Sequence, residues 1–470
     1  MKVLLINPSC TEIYGQFSAP IQMPMGLAHI AAVVEQAGHA VEVIDMEAEH
    51  LDMQGLKKRI QDYRPSVAGL TSTSPVFPAA IEICDAIKSI SQDIKTVVGG
   101  IHPTVAPDDC IKPASIDFIV IGEGEKTIVE LLDALQKAAF GDLSAIHGLA
   151  WKPGGTVKIN VPRELISDLD TIPFPARHLF RNQAYTYPDS LSKRTFPIIT
   201  SRGCPGNCTY CCTQNIFGRH FRARSAKSVV DEIEMLVKKY RAQEIHIWDD
   251  NFTTLKNRVF EINDELKKRK IKVKFAFPNG LRADFLSQDV LQALKDMGVY
   301  SVAVGVESGV QQILDNVNKR VKLENIVSAF ERLKKMKFET WAFFLFGLPG
   351  DTKDTIKQTT EFAVKLNPDI AKFHILKPFP GTEVYRQLKA KNLITSEDLR
   401  KYGIHTEPVH HLENLSAGEL LQLQQAAYRR FFFRPGKVIQ QVLRLKTWNR
   451  VRLNFLTGVK VLKSGLVGKK

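Results

Sequence analysis

The chain has 470 residues, 44% of them hydrophobic and 24% charged, with a net charge of +14. It is long enough for two or three domains of ordinary globular composition. No run of about 18 uncharged apolar residues occurs, which excludes a membrane-spanning helix, and the short apolar run at Val3–Ile6 reads as a buried strand rather than a signal peptide.

Residues 1–140 alternate strand and helix. Strands are expected at Val3–Asn7, Val41–Asp45, Val67–Thr71, Thr96–Val98 and Phe118–Ile121, with helices at Gly26–Gly38, Leu56–Tyr63, Pro78–Ser89 and from Thr127 onward. Five strands alternating with helices predict a doubly wound, Rossmann-like parallel sheet, whose ligands bind at the carboxyl ends of the strands. The small and glycine-rich loops fall there: Thr71-Ser72, Gly99-Gly100 and Gly122-Glu123. No G-x-G-x-x-G follows strand one, which argues against a dinucleotide. Residues 141–195 read as an ordered linker, with a hairpin near Trp151-Lys-Pro-Gly-Gly-Thr and a proline-rich stretch after Leu169.

Residues 196–395 alternate again, in six strand–helix units. Six are too few for a closed eightfold barrel, so an open, partial (β/α)6 TIM-like barrel is expected, with its chemistry at the carboxyl ends of the strands. The strand-end motifs are Asp249-Asp250-Asn251, Asn279-Gly280-Leu281-Arg282, Glu307-Ser308-Gly309 and Gly347-Leu348-Pro349-Gly350. The first strand delivers Arg202-Gly-Cys-Pro-Gly-Asn-Cys-Thr-Tyr-Cys-Cys212. Cys204, Cys208 and Cys211 stand at C-x3-C-x2-C spacing, which can hold three irons of a 4Fe–4S cube and leave the fourth open. A zinc knot completed by Cys212 or His220, or three incidental thiols, are the plainer readings of the same spacing. Four of the seven cysteines sit in this one loop, a metal-site distribution that implies a reducing cytoplasm.

Residues 396–470 read as a basic helical C-terminal region. Twelve Lys or Arg and no acidic residue follow Glu419, interleaved with apolar side chains. Packing on the barrel, contact with an anionic membrane and RNA binding compete, ranked in that order.

The cysteine spacing, with Tyr210 just before the last ligand, resembles the radical S-adenosylmethionine (SAM) superfamily. That resemblance implies that the open iron chelates SAM and that the reduced cluster cleaves it to a deoxyadenosyl radical. It places Tyr210 near the adenine, Asp249 and Asp250 near the methionyl amino group, Asn279 and Arg282 near the carboxylate or ribose, Glu307 on the ribose, and Gly347 on the adenine side. The N-terminal loop order resembles the cobalamin-binding domain of one radical SAM class. There Thr71, Ser72, Gly99 and Gly100 would line the cobalamin tail, with Asn7, Gly122 and Glu123 at neighbouring strand ends. The familiar Asp-x-His is absent, so cobalamin should lack a histidine lower ligand; His102 reads as a loop-ordering residue. The implied function is C-methylation of a small-molecule or lipid substrate. The implied partner is an electron donor such as flavodoxin or ferredoxin, and the expected location is cytoplasmic or peripheral at the inner membrane face. Radical cyclisation, rearrangement or oxidation is the alternative within enzymes. A nucleic-acid-binding protein with a structural metal knot is the alternative outside them, though no nucleic acid is expected.

Overall fold

The computed structural model describes residues 1–10, 21–137, 142–187 and 190–444. The chain divides into two compact units. One comprises Met1–Tyr185, Tyr210–Arg222 and Pro378–Val409; the other comprises Thr186–Thr209, Ala223–Lys377 and His410–Lys470.

The first unit is built on a seven-stranded sheet. Its strands are β1 (Lys2–Asn7), β2 (Ala40–Asp45), β3 (Val67–Thr71), β4 (Lys95–Gly99), β5 (Phe118–Val120), β6 (Leu149–Trp151) and β7 (Lys158–Ile159), in the order β2-β1-β3-β4-β5-β6-β7. Strands β1 to β5 are parallel, as helical crossovers require. The stretch read as a linker contributes β6 and β7, an antiparallel extension of the sheet. Apolar runs such as Val3–Ile6 are buried on both faces of the sheet, as helices cover both sides. Strand order reverses between β1 and β3, so the chain leaves these two strands toward opposite sides, the switch point at whose carboxyl ends ligands of such sheets bind.

The second unit holds six parallel strands in simple order: β8 (Thr195–Ile198), β9 (Glu244–Ile247), β10 (Lys274–Leu281), β11 (Val299–Glu307), β12 (Glu339–Phe346) and β13 (Ile370–Ile375). Each is followed or preceded by an amphipathic helix whose apolar stripe covers the outer face. Val229, Ile233 and Leu236 of helix Ala226–Tyr240 are fully buried, for example. Ser225 caps that helix by accepting from the Ser228 N–H, and Thr352 and Thr355 form a capping box for helix Lys353–Leu366. Strand β10 runs on through the first three residues of its expected strand-end motif, Asn279-Gly280-Leu281. Its register with β11 shifts between Phe277 and Leu281, and Gly280 takes a φ of +94° that a side chain would resist. Helix Ala417–Phe432 packs Tyr428 and Phe431 against Phe373 of β13. No helix among the described residues is long and apolar enough to cross a membrane. The basic C-terminal region is described only to Arg444, with a helix at Pro435–Leu443, and the rest of it lies outside the described residues.

Candidate cofactor sites

In the barrel unit the end of β8 is braced by Asp249. Its carboxylate accepts from the Thr200 N–H (2.6 Å), the Thr200 hydroxyl (2.5 Å) and the Ser201 hydroxyl (2.5 Å), and the residue is buried. Asp249, expected near the methionyl amino group, is therefore committed to holding the strand that launches the cysteine loop. Its neighbour Asp250 is exposed and accepts from the Gly203 N–H (3.1 Å), immediately before Cys204. A carboxylate at the foot of the loop is thus provided by Asp250.

Cys204 and Cys208 are half-buried free thiols of this unit. Gly206 lies between them. Its N–H points at Cys204 Sγ (3.4 Å), and a Cβ there would meet that sulfur at 3.3 Å and Arg282 Nη1 at 3.2 Å. Burial raises the Cys204 thiol pKa, while the Gly206 N–H and Arg282 act to lower it. Arg282 is itself pulled down by burial, but Asp284 and the two thiols outweigh that and leave it raised. Its guanidinium donates to Asp284 and to the Lys319 carbonyl.

Glu307 ends β11 with a φ of +65° and accepts a hydrogen bond from Lys319 Nζ at 2.8 Å. Lys319 is buried. Burial lowers its pKa, but Glu307 and then Cys208 more than compensate and raise it. Gly305 leaves room for this pair: a Cβ there would stand 2.8 Å from Glu307 Oε1 and 3.1 Å from Lys319 Nζ. Lys319 was not singled out in the sequence. Asn318 and Arg320 flank it with positive φ, a conformation their residue types do not announce, and only folding places it on Glu307.

Asn279 is exposed and donates to the Trp248 carbonyl (2.9 Å), which ties β10 to the end of β9. Gly347 is buried, and the space beside it is filled. His410 Nε2 lies 2.9 Å from its carbonyl oxygen, and Asp351 accepts from the N–H of both Gly347 and Leu348 at 3.0 Å. The expected adenine-side wall is thus a packed turn, because helix Ala417–Phe432 and the segment before it cover this strand end.

These features suit a cluster bound by thiolates. The sulfurs at Cys204 and Cys208 are accessible, unpaired by disulfides, and have Arg282 and Lys319 to balance thiolate charge. Among the described residues no three His, Cys, Asp or Glu side chains converge on a single ion. Thiols that take three corners of a cube need not converge on one point. Cys211 and Tyr210 begin the segment that groups with the first unit, where Cys211 lies 3.3 Å from the Thr213 hydroxyl. Of the arginines that follow the loop, Arg222 pairs with Glu123 and Arg224 with Glu232.

In the first unit the loops after β3 and β4 lock together. Thr71 pairs in register with Gly99, the buried Ser72 donates its N–H to the Gly99 carbonyl (2.8 Å), and Gly100 takes a φ of +108°. A Cβ on Gly100 would lie 2.6 Å from the Ser72 carbonyl oxygen and 3.2 Å from Thr71 Oγ1. Asn7, at the end of β1, donates to Asp45 (3.1 Å), and the Gly122 N–H donates to Thr104 (3.0 Å). Glu123 is buried and committed, accepting from the Ile166 N–H (2.7 Å) and from Arg222. His102 is buried beside Ser74 Oγ (3.1 Å) and the Phe77 ring. Burial lowers its pKa to about 4, so it is neutral. The glycine-walled strand ends fit the close approach of a large cofactor's tail, and the committed Glu123 serves the wall rather than its face.

The sequence bears two matches that map onto these two sites. A model of the Radical SAM superfamily matches residues 198–363, and one of the B12 binding domain matches residues 18–132. Over 443 residues the chain is 32% identical to an uncharacterized methyltransferase of Pyrococcus horikoshii, covering 94% of this chain and 95% of the relative. Over 440 residues it is 31% identical to the anaerobic magnesium-protoporphyrin IX monomethyl ester cyclase of Rubrivivax gelatinosus, covering 92% and 77%. Among solved structures, the cobalamin-dependent S-adenosylmethionine radical enzyme OxsB, with aqua-cobalamin and SAM bound, shares the fold. Its TM-score is 0.76 at 20% identity, over 98% of this chain and 71% of that one. With both domain matches and near-full-length relatives, the chain belongs to the cobalamin-binding radical SAM enzymes, whose cofactors are a 4Fe–4S cluster, SAM and cobalamin.

Proposed function

We propose that the protein transfers a methyl group from methylcobalamin to an unactivated carbon of a small-molecule or lipid substrate. The observation that carries this reading is the pairing of a radical SAM match with a B12-binding match in a chain 32% identical, end to end, to a methyltransferase. The cyclase relative supports radical chemistry without methyl transfer as the second reading. The chemistry supplied by the bound groups is one-electron cleavage of SAM and carriage of a methyl group.

In this reading Cys204, Cys208 and Cys211 hold the cluster, and Arg282 and Lys319 balance its thiolate charge. Asp250 meets the methionyl ammonium, a charge-assisted contact for which its exposed carboxylate is suited. Tyr210 lies against the adenine. Glu307, fixed by Lys319, accepts from the ribose hydroxyls. Asp249 acts through Thr200 and Ser201 to position the loop. Thr71, Ser72, Gly99 and Gly100 line the cobalamin tail, with Asn7 and Gly122 beside them. Electrons come from a flavodoxin or ferredoxin. The exposed Phe433, Val438, Ile439, Val442 and Leu443, with the basic residues beyond them, support peripheral contact with an anionic membrane.

Anaerobic protein supplied with cobalamin should carry about four irons and one corrinoid per chain. With SAM and a reductant it should form deoxyadenosine, and with substrate it should also form S-adenosylhomocysteine. Deoxyadenosine without S-adenosylhomocysteine, in the presence of a converted substrate, would replace methyl transfer with the second reading. Replacing any of the three cysteines by alanine should abolish both products.

A further inference from the structure

The inner face of the barrel sheet carries a cation that the cofactors do not use. Along β13 the side chains alternate: Ala371, Phe373 and Ile375 are buried, and Phe373 meets Tyr428 and Phe431 of the covering helix. Lys372 and His374 therefore stand on the opposite face, half-buried. On β12, Trp341 and Phe343 share that face, and Phe343 is the register partner of Lys372. The Lys372 ammonium lies 4.8 Å from the Trp341 ring centroid and 5.9 Å from that of Phe343.

Three buried or half-buried cations of this unit have carboxylate partners: Lys319 has Glu307, Arg282 has Asp284, and Arg444 has Glu339. Among the described residues Lys372 has ring faces only, with no carboxylate within ion-pair reach. A ring face attracts an ammonium more weakly than an anion does. The ammonium donors of Lys372 therefore remain available to an anion.

The position of Phe343 connects this cation to the SAM end of the barrel. On β11, the next strand, Gly305 is the register partner of Phe343. A Cβ on Gly280 would stand 3.5 Å from the Phe343 ring and 3.5 Å from the Gly305 nitrogen. The ring thus lies against Gly280, on a strand position paired with Gly305, which is two residues from Glu307. An anion held by Lys372 would lay its attached apolar body on Phe343, beside the strand ends assigned to SAM.

We propose that Lys372 binds the carboxylate of the substrate, and that the substrate is a small organic acid with a flat, apolar body. One ammonium matches the single charge of a carboxylate, and the Trp341–Phe343 wall matches the body. This rests on the reading above of a radical SAM reaction on a small-molecule substrate, which the radical's origin would place at the SAM end of the barrel.

The test is ligand-observed fluorine NMR on the cofactor-loaded protein without SAM, using para-fluorobenzoate and the neutral para-fluorobenzyl alcohol. Wild-type protein should bind the acid about tenfold more tightly than the alcohol, the size expected of one partly solvated charge pair. Lys372→Arg should keep the preference, and Lys372→Met should remove it. Lys372→Gln serves in its place if the methionine variant melts below wild type. Equal or undetectable binding of the two probes by wild type overturns the proposal, as does a preference that survives in Lys372→Met. Acid preference in a protein that never cleaves SAM would sink the reaction and leave this site standing. SAM cleavage without acid preference would sink this site alone.

Discussion

Asp249 and Asp250 are adjacent in the chain and opposite in circumstance. One is buried with three donors on its carboxylate; the other is exposed with the Gly203 N–H as a neighbour. Asp249→Ala should lower unfolding free energy by about 3 kcal/mol, since buried donors at Thr200 and Ser201 lose a charged acceptor. Asp250→Ala should change stability by no more than about 0.5 kcal/mol and weaken SAM binding instead. Denaturant titration and SAM titration of both variants check this, and equal destabilisation would merge the two roles. A second pair separates the same way. Gly100→Ala places a Cβ against Ser72 backbone at a φ of +108°, whereas Gly99→Ala meets nothing nearer than 3.6 Å. The melting temperature of the cofactor-free protein should fall sharply in Gly100→Ala and stay near wild type in Gly99→Ala.

At the scale of an element, the turn after β12 couples two ionisable groups to one glycine. His410 is fully buried on the Gly347 carbonyl, and burial lowers its pKa from 6.5 to about 4. Between those values the unfolded chain holds the extra proton, so this group removes stability as pH falls from 6.5 toward 4. Asp351 is buried on the Gly347 and Leu348 N–H groups, and burial raises its pKa from 3.8 to about 6. There the folded state holds the extra proton, so stability is lost as pH rises through about 6. Each effect is about 3 kcal/mol at full extent, and they oppose each other over one window. Asp351→Asn should therefore be less stable at pH 4 than at pH 6.5, relative to wild type, and His410→Gln should tilt the other way. Chemical denaturation across that range measures both slopes, and parallel profiles in the two variants would refute the opposed pair.

For the whole molecule, the net charge of +14 is unevenly placed, with twelve basic and no acidic residues after Glu419. Helix Ala417–Phe432 belongs to the fold, because Tyr428 and Phe431 cover Phe373 and Arg430 pairs with Glu361. Deleting residues 445–470 removes seven of the twelve basic residues. Such a protein should keep its melting temperature and lose sedimentation with anionic vesicles, with the full chain's binding weakened by salt. Vesicle binding that survives the deletion would transfer the contact elsewhere. Deletion from 417 should instead unfold the outer side of β13.

Periodicity, glycine placement and cysteine spacing are properties of the chain itself, so the two α/β units, the order of their strands' ends and the three thiols were legible before any coordinates. Strand ends fall where hydrophobic runs stop, and parallel α/β topology leaves those ends on one edge. The extension of β10 was not legible, since a glycine at positive φ can end a strand or carry it through a bulge. Partnership was not legible either. Nothing local marks Asp249 as a brace and Asp250 as exposed, or sets Lys319 on Glu307 twelve residues away. Strands β12 and β13 show the same limit, because Lys372 and Phe343 belong to strands that pair only when the sheet forms. The sequence by itself determined which residue types stand at the carboxyl ends of the strands. Only the tertiary structure decided which of those charges are consumed by neighbours, because burial and pairing depend on distances that chain separation does not set.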